Sequence, residues 1–300
     1  MPDSVVTLIA DPARPALDHA LLVQARAALP RVSASRWLAP GIAADVMFAA
    51  DARDTKAIET ELRAALNGAP LDIVLQPAEG RRKRLLVADM ESTIIGQECL
   101  DELAESVGLR DRIAAITERA MRGEIDFEPA LRERIGLLKG LAREALQHVM
   151  DEHVRPNPGA RTLVRTMRAH GAFTALVSGG FTFFTEQVAR MLGFDTHQAN
   201  RLVFDGDRLA GAVAEPILGR DAKLAALERL AHEHGVALSE SLAVGDGAND
   251  LAMLRRAGLG VAYRAKPKVA AGAAARIDHG DLTALLYLQG YGRDEFADDP

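Results

Sequence analysis

The 300-residue chain has a single cysteine, Cys99, so no internal disulfide can form and no oxidising compartment is indicated. Cys99 lies in an amphipathic stretch and is expected as a small core residue. Lysine is scarce: six of the 36 basic residues. The formal net charge of -6 argues against a general nucleic-acid-binding surface. No apolar run is long enough to span a bilayer, and the N-terminus lacks a basic region followed by an apolar core. A cytoplasmic chain with neither nucleic acid nor membrane as partner is expected. There is no GxxxxGK[ST] stretch, which disfavours a P-loop enzyme. Gly245-Asp246-Gly247 lacks the third glycine of a dinucleotide fingerprint and puts an Asp where pyrophosphate would approach. His232 and His234 flank Glu233 without further zinc ligands in view, and read as a solvated helix end. The one basic run, Arg81-Arg82-Lys83-Arg84, reads as the solvated end of a linker. Internal repeats and low-complexity tracts are absent.

What is present is an ordinary globular composition, 48% hydrophobic and 26% charged, with length for one large or two smaller domains. Residues 1–80 read as a small domain. Apolar runs at Val5 to Ala10, Arg36 to Leu38, Ala44 to Ala49 and Leu71 to Leu75 suit strands. Helical periodicity covers Ala16 to Ala28 and Thr55 to Leu66. The order βαββαβ predicts a ferredoxin-like (ACT-like) α+β sandwich. Its expected role is homodimerisation or support of the second domain.

Residues 81–300 read differently. The apolar run Leu85 to Ala88 suits a buried parallel strand and ends abruptly in Asp89-Met90-Glu91-Ser92-Thr93. Alone, that ending fits a helix start as well as a site. Residues 97–155 are almost entirely helical in pattern and read as an insertion closed by Pro156-Asn157-Pro158-Gly159. Strands and helices then alternate. Phe173 to Val177 ends in Ser178-Gly179-Gly180. His197 to Phe204 pairs with Arg208 to Val213 as a hairpin. Ser241 to Val244 ends in Gly245-Asp246-Gly247-Ala248-Asn249-Asp250, and Leu259 to Ala262 is a further strand. This alternation predicts an α/β parallel sheet whose strand ends share one crevice.

The inventory at those ends suits phosphoryl transfer assisted by a hard cation. Mg2+ takes oxygen ligands, which Asp89 and Asp246 can supply. The Ser178 hydroxyl and exposed amides at Gly179 can hold phosphate oxygens. Lys223, near the start of a helix between the two strands, can neutralise charge.

Together these four separated motifs resemble the haloacid-dehalogenase-like phosphatases, specifically the phosphoserine phosphatases of the bacterial two-domain type. Glu98-Cys99-Leu100-Asp101-Glu102, the stretch from Thr117 to Gly123 and Gly179 to Phe184 share the likeness. The resemblance covers about residues 84 to 290 and implies a Rossmannoid sheet with a helical cap. It implies Mg2+-dependent hydrolysis of O-phospho-L-serine to L-serine, the last step of serine synthesis. Asp89 would be the nucleophile and Glu91 the general acid/base. Asp89, the Glu91 backbone carbonyl and Asp246 would hold the metal, with Asp250 orienting them. Ser178, Gly179, Lys223 and Asn249 would bind phosphate. In the cap, Glu98 would meet the substrate ammonium and Arg134 its carboxylate, with Met121 and Phe127 lining the apolar side. Read without the family, Glu98 and Arg134 could equally be exposed helix charges, and Met121 and Phe127 plain core. A related phosphatase for another small phosphomonoester and a non-catalytic amino-acid sensor are the competing expectations.

One position departs from the family. Its usual motif has Asp where this chain has Glu91. The added methylene can move a carboxylate by about 1 Å, a shift able to cost on the order of a hundredfold in rate.

Overall fold

The computed structural model describes residues 4–49, 55–122, 124–219 and 221–297, with only the backbone of Thr55 and Met121. Four strands come first: β1 (Ser4–Ala10), β2 (Val32–Ala39), β3 (Ala43–Phe48) and β4 (Leu71–Pro77), with helices α1 (His19–Ala28) and α2 (Thr55–Ala65) between them. They form an antiparallel sheet in the order β2-β3-β1-β4, the ferredoxin-like arrangement. Helix α1 starts later than the periodicity predicts because the Asp18 side chain accepts from the Leu21 amide and fixes the first turn there. Val6, Leu8, Val46 and Ile73 on one sheet face pack against Leu22 and Ala25 of α1 and Ile58 and Leu62 of α2.

The second part begins with β5 (Leu85–Ala88), four residues with no exposed surface. The helices α3 (Cys99–Ser106), α4 (Arg110–Met121), α5 (Phe127–Leu137) and α6 (Arg143–Glu152) follow. All four fall within the stretch 97–155 that reads as helical. Then come α7 (Ala160–Ala169), β6 (Phe173–Phe181), α8 (Thr182–Leu192), β7 (Thr196–Asn200), β8 (Leu202–Asp205), β9 (Arg208–Val213) and α9 (Ala222–Glu233). The chain ends with β10 (Ser241–Gly245), α10 (Leu251–Arg256), β11 (Leu259–Tyr263), α11 (Pro267–Ala270), β12 (Ala275–Ile277) and α12 (Ala284–Leu288). Six strands make one parallel sheet in the order β12-β11-β10-β5-β6-β7. The chain runs outward from β5 through β6 to β7, then returns to β10 on the other side. That reversal opens a crevice at the carboxyl ends of β5 and β10. The helices α3 to α6 stand over it as a cap.

Two expectations are corrected. The stretch from 197 to 204 is not one strand. It breaks at Arg201, so β7 joins the edge of the parallel sheet and only β8 pairs with β9. That hairpin packs on α5, and the Leu209 amide donates to the Leu141 carbonyl. The basic run at 81–84 is not a solvated linker end either. Arg81 is 8% exposed and ion-paired to the buried Asp45, and the ammonium of Lys83 donates to the carbonyls of Gly80 and Ser239. Among the described residues no helix is long and apolar enough to cross a membrane.

The two sheets are joined by polar contacts of the backbone. Asp72 of β4 accepts from the amides of Asp278, His279 and Gly280, and Gln76 donates to the Leu288 carbonyl at 2.6 Å.

Candidate active site

Strand β5 delivers Asp89 to the crevice. Its amide donates to the Val244 carbonyl of β10, which continues the ladder one residue beyond the strand and holds the backbone still. Asp89 is 6% exposed. Its Oδ1 accepts from the Met90 amide at 2.8 Å and lies 2.7 Å from Lys223 Nζ. The next residues form a wide turn closed by the Ile95 amide on the Met90 carbonyl, with Glu91 extended and Ser92 left-handed at φ 54. A non-glycine residue at such a φ is uncommon outside turns and functional loops.

Lys223 reaches the site from the first turn of α9 and is buried. Besides Asp89, its ammonium donates to Asp250 Oδ1 at 2.5 Å, and Asp250 Oδ2 accepts from the Gly247 amide at 2.9 Å. Both Asp250 oxygens are therefore engaged. Gly245 makes this possible, because a Cβ there would lie 2.4 Å from the Asp250 carboxyl carbon. Asp246 sits beside them and accepts from the buried Thr93 hydroxyl at 3.1 Å. One carboxylate oxygen from each of Asp89, Asp246 and Asp250 lies within 4.8 Å of the others.

Burial raises Asp89 well above the ordinary carboxylate range; Lys223 opposes the shift, while Asp250 and Asp246 add to it. Burial would pull the Lys223 ammonium down, but Asp89 and Asp250 outweigh it and hold Lys223 protonated. Burial also raises Asp246, with Asp250 adding to it. Asp89 and Asp246 line a cavity of about 510 Å³ whose acids, with Glu91, Glu98 and Asp101 added, outnumber Arg134 and Lys266. Carboxylates that converge in excess of the facing cations favour a bound metal ion.

The phosphate-side expectations converge here. Ser178 and Gly179 lie within β6, which runs on to Phe181, and the Ser178 hydroxyl accepts from the Gly180 amide. A smaller lobe of about 160 Å³ is lined by Ser178, Gly179, Lys223, Asn249 and Phe127. Gly179, Asn249 and Phe127 also line the larger cavity, so the two adjoin. Phe127, 41% exposed, is not plain core. The Met121 side chain lies outside the described residues.

The cap supplies the other wall. Glu98 precedes α3 and its Oε1 accepts from the Ser92 hydroxyl at 2.6 Å. Its carboxyl is pushed up to about 7 by desolvation and by Glu91. Arg134, half-buried on α5, donates to the Ala130 carbonyl and to the Thr117 hydroxyl. Glu91 Oε1 accepts from the Cys99 amide at 2.9 Å, and burial raises the Glu91 carboxyl. Glu98 and Arg134 thus line the same cavity as Asp89. Asp101, Thr117 and Lys266 line it too; the first two fall in stretches that carry the family likeness, but none of the three reads as a site residue in the sequence. Asp101 sits three residues after Glu98, a helical spacing that could have pointed to it; Lys266 gave no signal.

The model of the haloacid dehalogenase-like hydrolase family matches residues 86–255. A Streptomyces coelicolor protein named phosphoserine phosphatase is 42% identical over 252 residues, 83% of this chain and 61% of its own length. The chain spans between 61% and 65% of the length of the first three curated relatives it matches. Among solved structures, a haloacid dehalogenase family hydrolase from Salmonella enterica serovar Typhi superposes with a TM-score of 0.85 at 29% identity. It covers 96% of this chain and 98% of its own. A phospho-aspartyl intermediate analogue of phosphoserine phosphatase superposes with a TM-score of 0.63 at 36% identity, over 69% of this chain and 98% of its own. The matched segment is more than half of the chain and carries Asp89, Ser178, Lys223 and Asp246 around one crevice: the chain belongs to the haloacid dehalogenase-like hydrolases.

Proposed function

We propose that this protein is a Mg2+-dependent phosphoserine phosphatase, with residues 1–80 as a supporting domain and residues 81–300 as the catalytic domain, capped by about residues 97–155. The observation that carries this reading is one cavity lined at its floor by Asp89, Glu91 and Asp246 and on its cap side by Glu98 and Arg134. A phosphorylated amino acid needs all of these at once. It brings a phosphate to attack, an ammonium to meet a carboxylate, and a carboxylate to meet a guanidinium. The names of the Streptomyces relative and of the phospho-aspartyl analogue support the same reading.

Asp89 attacks phosphorus through a carboxylate oxygen, and the P–O bond to serine breaks with its electron pair leaving on the serine oxygen. Glu91 gives that oxygen a proton. Glu91 then takes a proton from water, which attacks the aspartyl-phosphate and releases phosphate and free Asp89. Burial raises the Glu91 carboxyl above its ordinary range, the direction a general acid needs. Lys223 stays charged throughout and neutralises the nucleophile and the phosphoryl oxygens. Ser178, Gly179 and Asn249 hold the phosphate. Glu98 and Arg134 orient the serine end, with Phe127 on its apolar side.

The donor set fits a hard divalent ion, since it is all oxygen and carries surplus negative charge. Asp89, the Glu91 backbone carbonyl and Asp246 would hold Mg2+, which would supply electrostatic stabilisation at the phosphoryl group. Asp250, its oxygens already taken by Lys223 and the Gly247 amide, orients the cluster instead.

The test is phosphate release from O-phospho-L-serine beside a panel of small phosphomonoesters, with and without Mg2+, in wild type and Asp89→Asn. The expected result is a Mg2+-dependent preference for phosphoserine that Asp89→Asn abolishes. Equal turnover across the panel would sink the substrate assignment.

A further inference from the structure

We infer that the Cys99 backbone amide and the bare backbone of Gly180 together set the position of the Glu91 carboxylate, so that the first helix of the cap aligns the acid/base group. The inference rests on the assignment of that role to Glu91. Cys99 is the first residue of α3, and the helix gets no side-chain cap from its own N-cap residue. Glu98 sends its carboxylate to Ser92 instead. The amides of a helix's first turn have no partner within the helix and carry its positive end. Glu91, eight residues upstream, fills the gap through Oε1 at 2.9 Å. Its other oxygen lies against the core: a Cβ on residue 180 would be 2.7 Å from Glu91 Oε2 and 3.1 Å from its carboxyl carbon. Gly180 adopts no left-handed φ, so the reason for glycine at this place is close approach.

One carboxylate is thus gripped between strand β6 of the core and helix α3 of the cap. The grip depends on reach. An aspartate at position 91 would end one C–C bond short, about 1.5 Å. Displacement of α3 takes the donor away from Glu91, so acid/base alignment follows the position of the cap.

Cys99→Pro tests this directly. The first helical position accepts proline, and Glu98 is already extended (φ -99, ψ 102), as a residue before proline must be. The substitution removes the N–H together with the thiol; Cys99→Ala removes only the thiol. Two substrates separate alignment from general damage: O-phospho-L-serine, whose leaving oxygen needs a proton, and p-nitrophenyl phosphate, whose phenolate does not. In single-turnover phosphorylation, Cys99→Pro is expected to slow the serine ester by about tenfold to a hundredfold and the aryl ester by less than about threefold. Cys99→Ala should stay within about threefold of wild type on both. Equal loss on both substrates, no loss in Cys99→Pro, or equal loss in the two variants overturns the inference. Gly180→Ala should likewise cost less in a Glu91→Asp background than in wild type; equal cost counts against it.

A second readout needs no turnover. In metal-free protein the Cys99 amide should exchange with deuterium at least about tenfold more slowly in wild type than in Glu91→Asp. Equal exchange rates overturn the inference even if phosphoserine proves not to be the substrate. Absence of phosphoserine turnover by wild type, with the exchange difference present, overturns the substrate assignment alone.

Discussion

The Arg81 guanidinium lies 2.7 Å from the Asp45 carboxylate, and both are buried where the first sheet meets α12. Its Nη2 also donates to the Thr7 hydroxyl and the Tyr287 carbonyl, and its Nε to the Leu288 carbonyl. One side chain therefore ties β1 and β3 to α12. Removing one partner of a buried pair strands the other without water, at a cost of about 3–5 kcal/mol. Asp45→Ala should lose stability of that order in urea unfolding, with Arg81 left uncompensated. A loss below about 1 kcal/mol, the range of an exposed pair, would show that water reaches the guanidinium.

This contact also marks where reading the sequence stops. The β5 run and the carboxylate after it were legible because burial on both faces leaves an unbroken apolar signature. Ser178, Lys223 and Asp246 were legible as chemistry at strand and helix ends. Arg81 was not, because four adjacent cations read as a solvated run and their partners lie elsewhere in the chain. Asp45 is 36 residues away, and two acceptors are backbone carbonyls 206 and 207 residues away, which no side-chain pattern encodes. The Glu91 bond to the Cys99 amide is hidden for the same reason. The break at Arg201 leaves no mark in the sequence because no glycine or proline stands there and only the pairing partner changes.

If Glu98 meets the substrate ammonium as proposed, substrate binding should depend on pH. Its carboxyl is raised to about 7, so below neutrality it is increasingly neutral and offers no charge to an ammonium. KM for O-phospho-L-serine should therefore rise as pH falls from 8 to 6, by up to about tenfold per unit once the group is mostly protonated. Glu98→Gln should raise KM at pH 8 and flatten the profile. A wild-type KM that stays level across this range would mean that the ammonium binds elsewhere.

Arg134 should discriminate by substrate. A charge-assisted hydrogen bond is worth about 1.5–3 kcal/mol, so Arg134→Ala should cost on the order of ten- to a hundredfold in kcat/KM for phosphoserine. For p-nitrophenyl phosphate, which has no carboxylate, the same substitution should change kcat/KM by less than about twofold. Equal losses on the two substrates would assign Arg134 to the framework of the cap, where it already donates to Ala130 and Thr117.

The acidic floor should make metal-free protein sensitive to pH. Asp89 and Asp246 both sit above their ordinary values, chiefly through burial. The folded state therefore holds protons that the unfolded chain has already lost, and metal-free stability should fall as pH rises through the window between ordinary and raised values. A divalent cation reverses the sign, because it binds the ionised carboxylates of the folded state only. At about a hundred times its Kd, Mg2+ should add about 2.7 kcal/mol. Asp246→Asn removes one ligand and one buried charge. It should be at least as stable as wild type without metal and gain little from Mg2+. Thermal unfolding with and without Mg2+ checks both halves, and a wild-type Tm that ignores the ion would remove the floor carboxylates from the list of metal ligands.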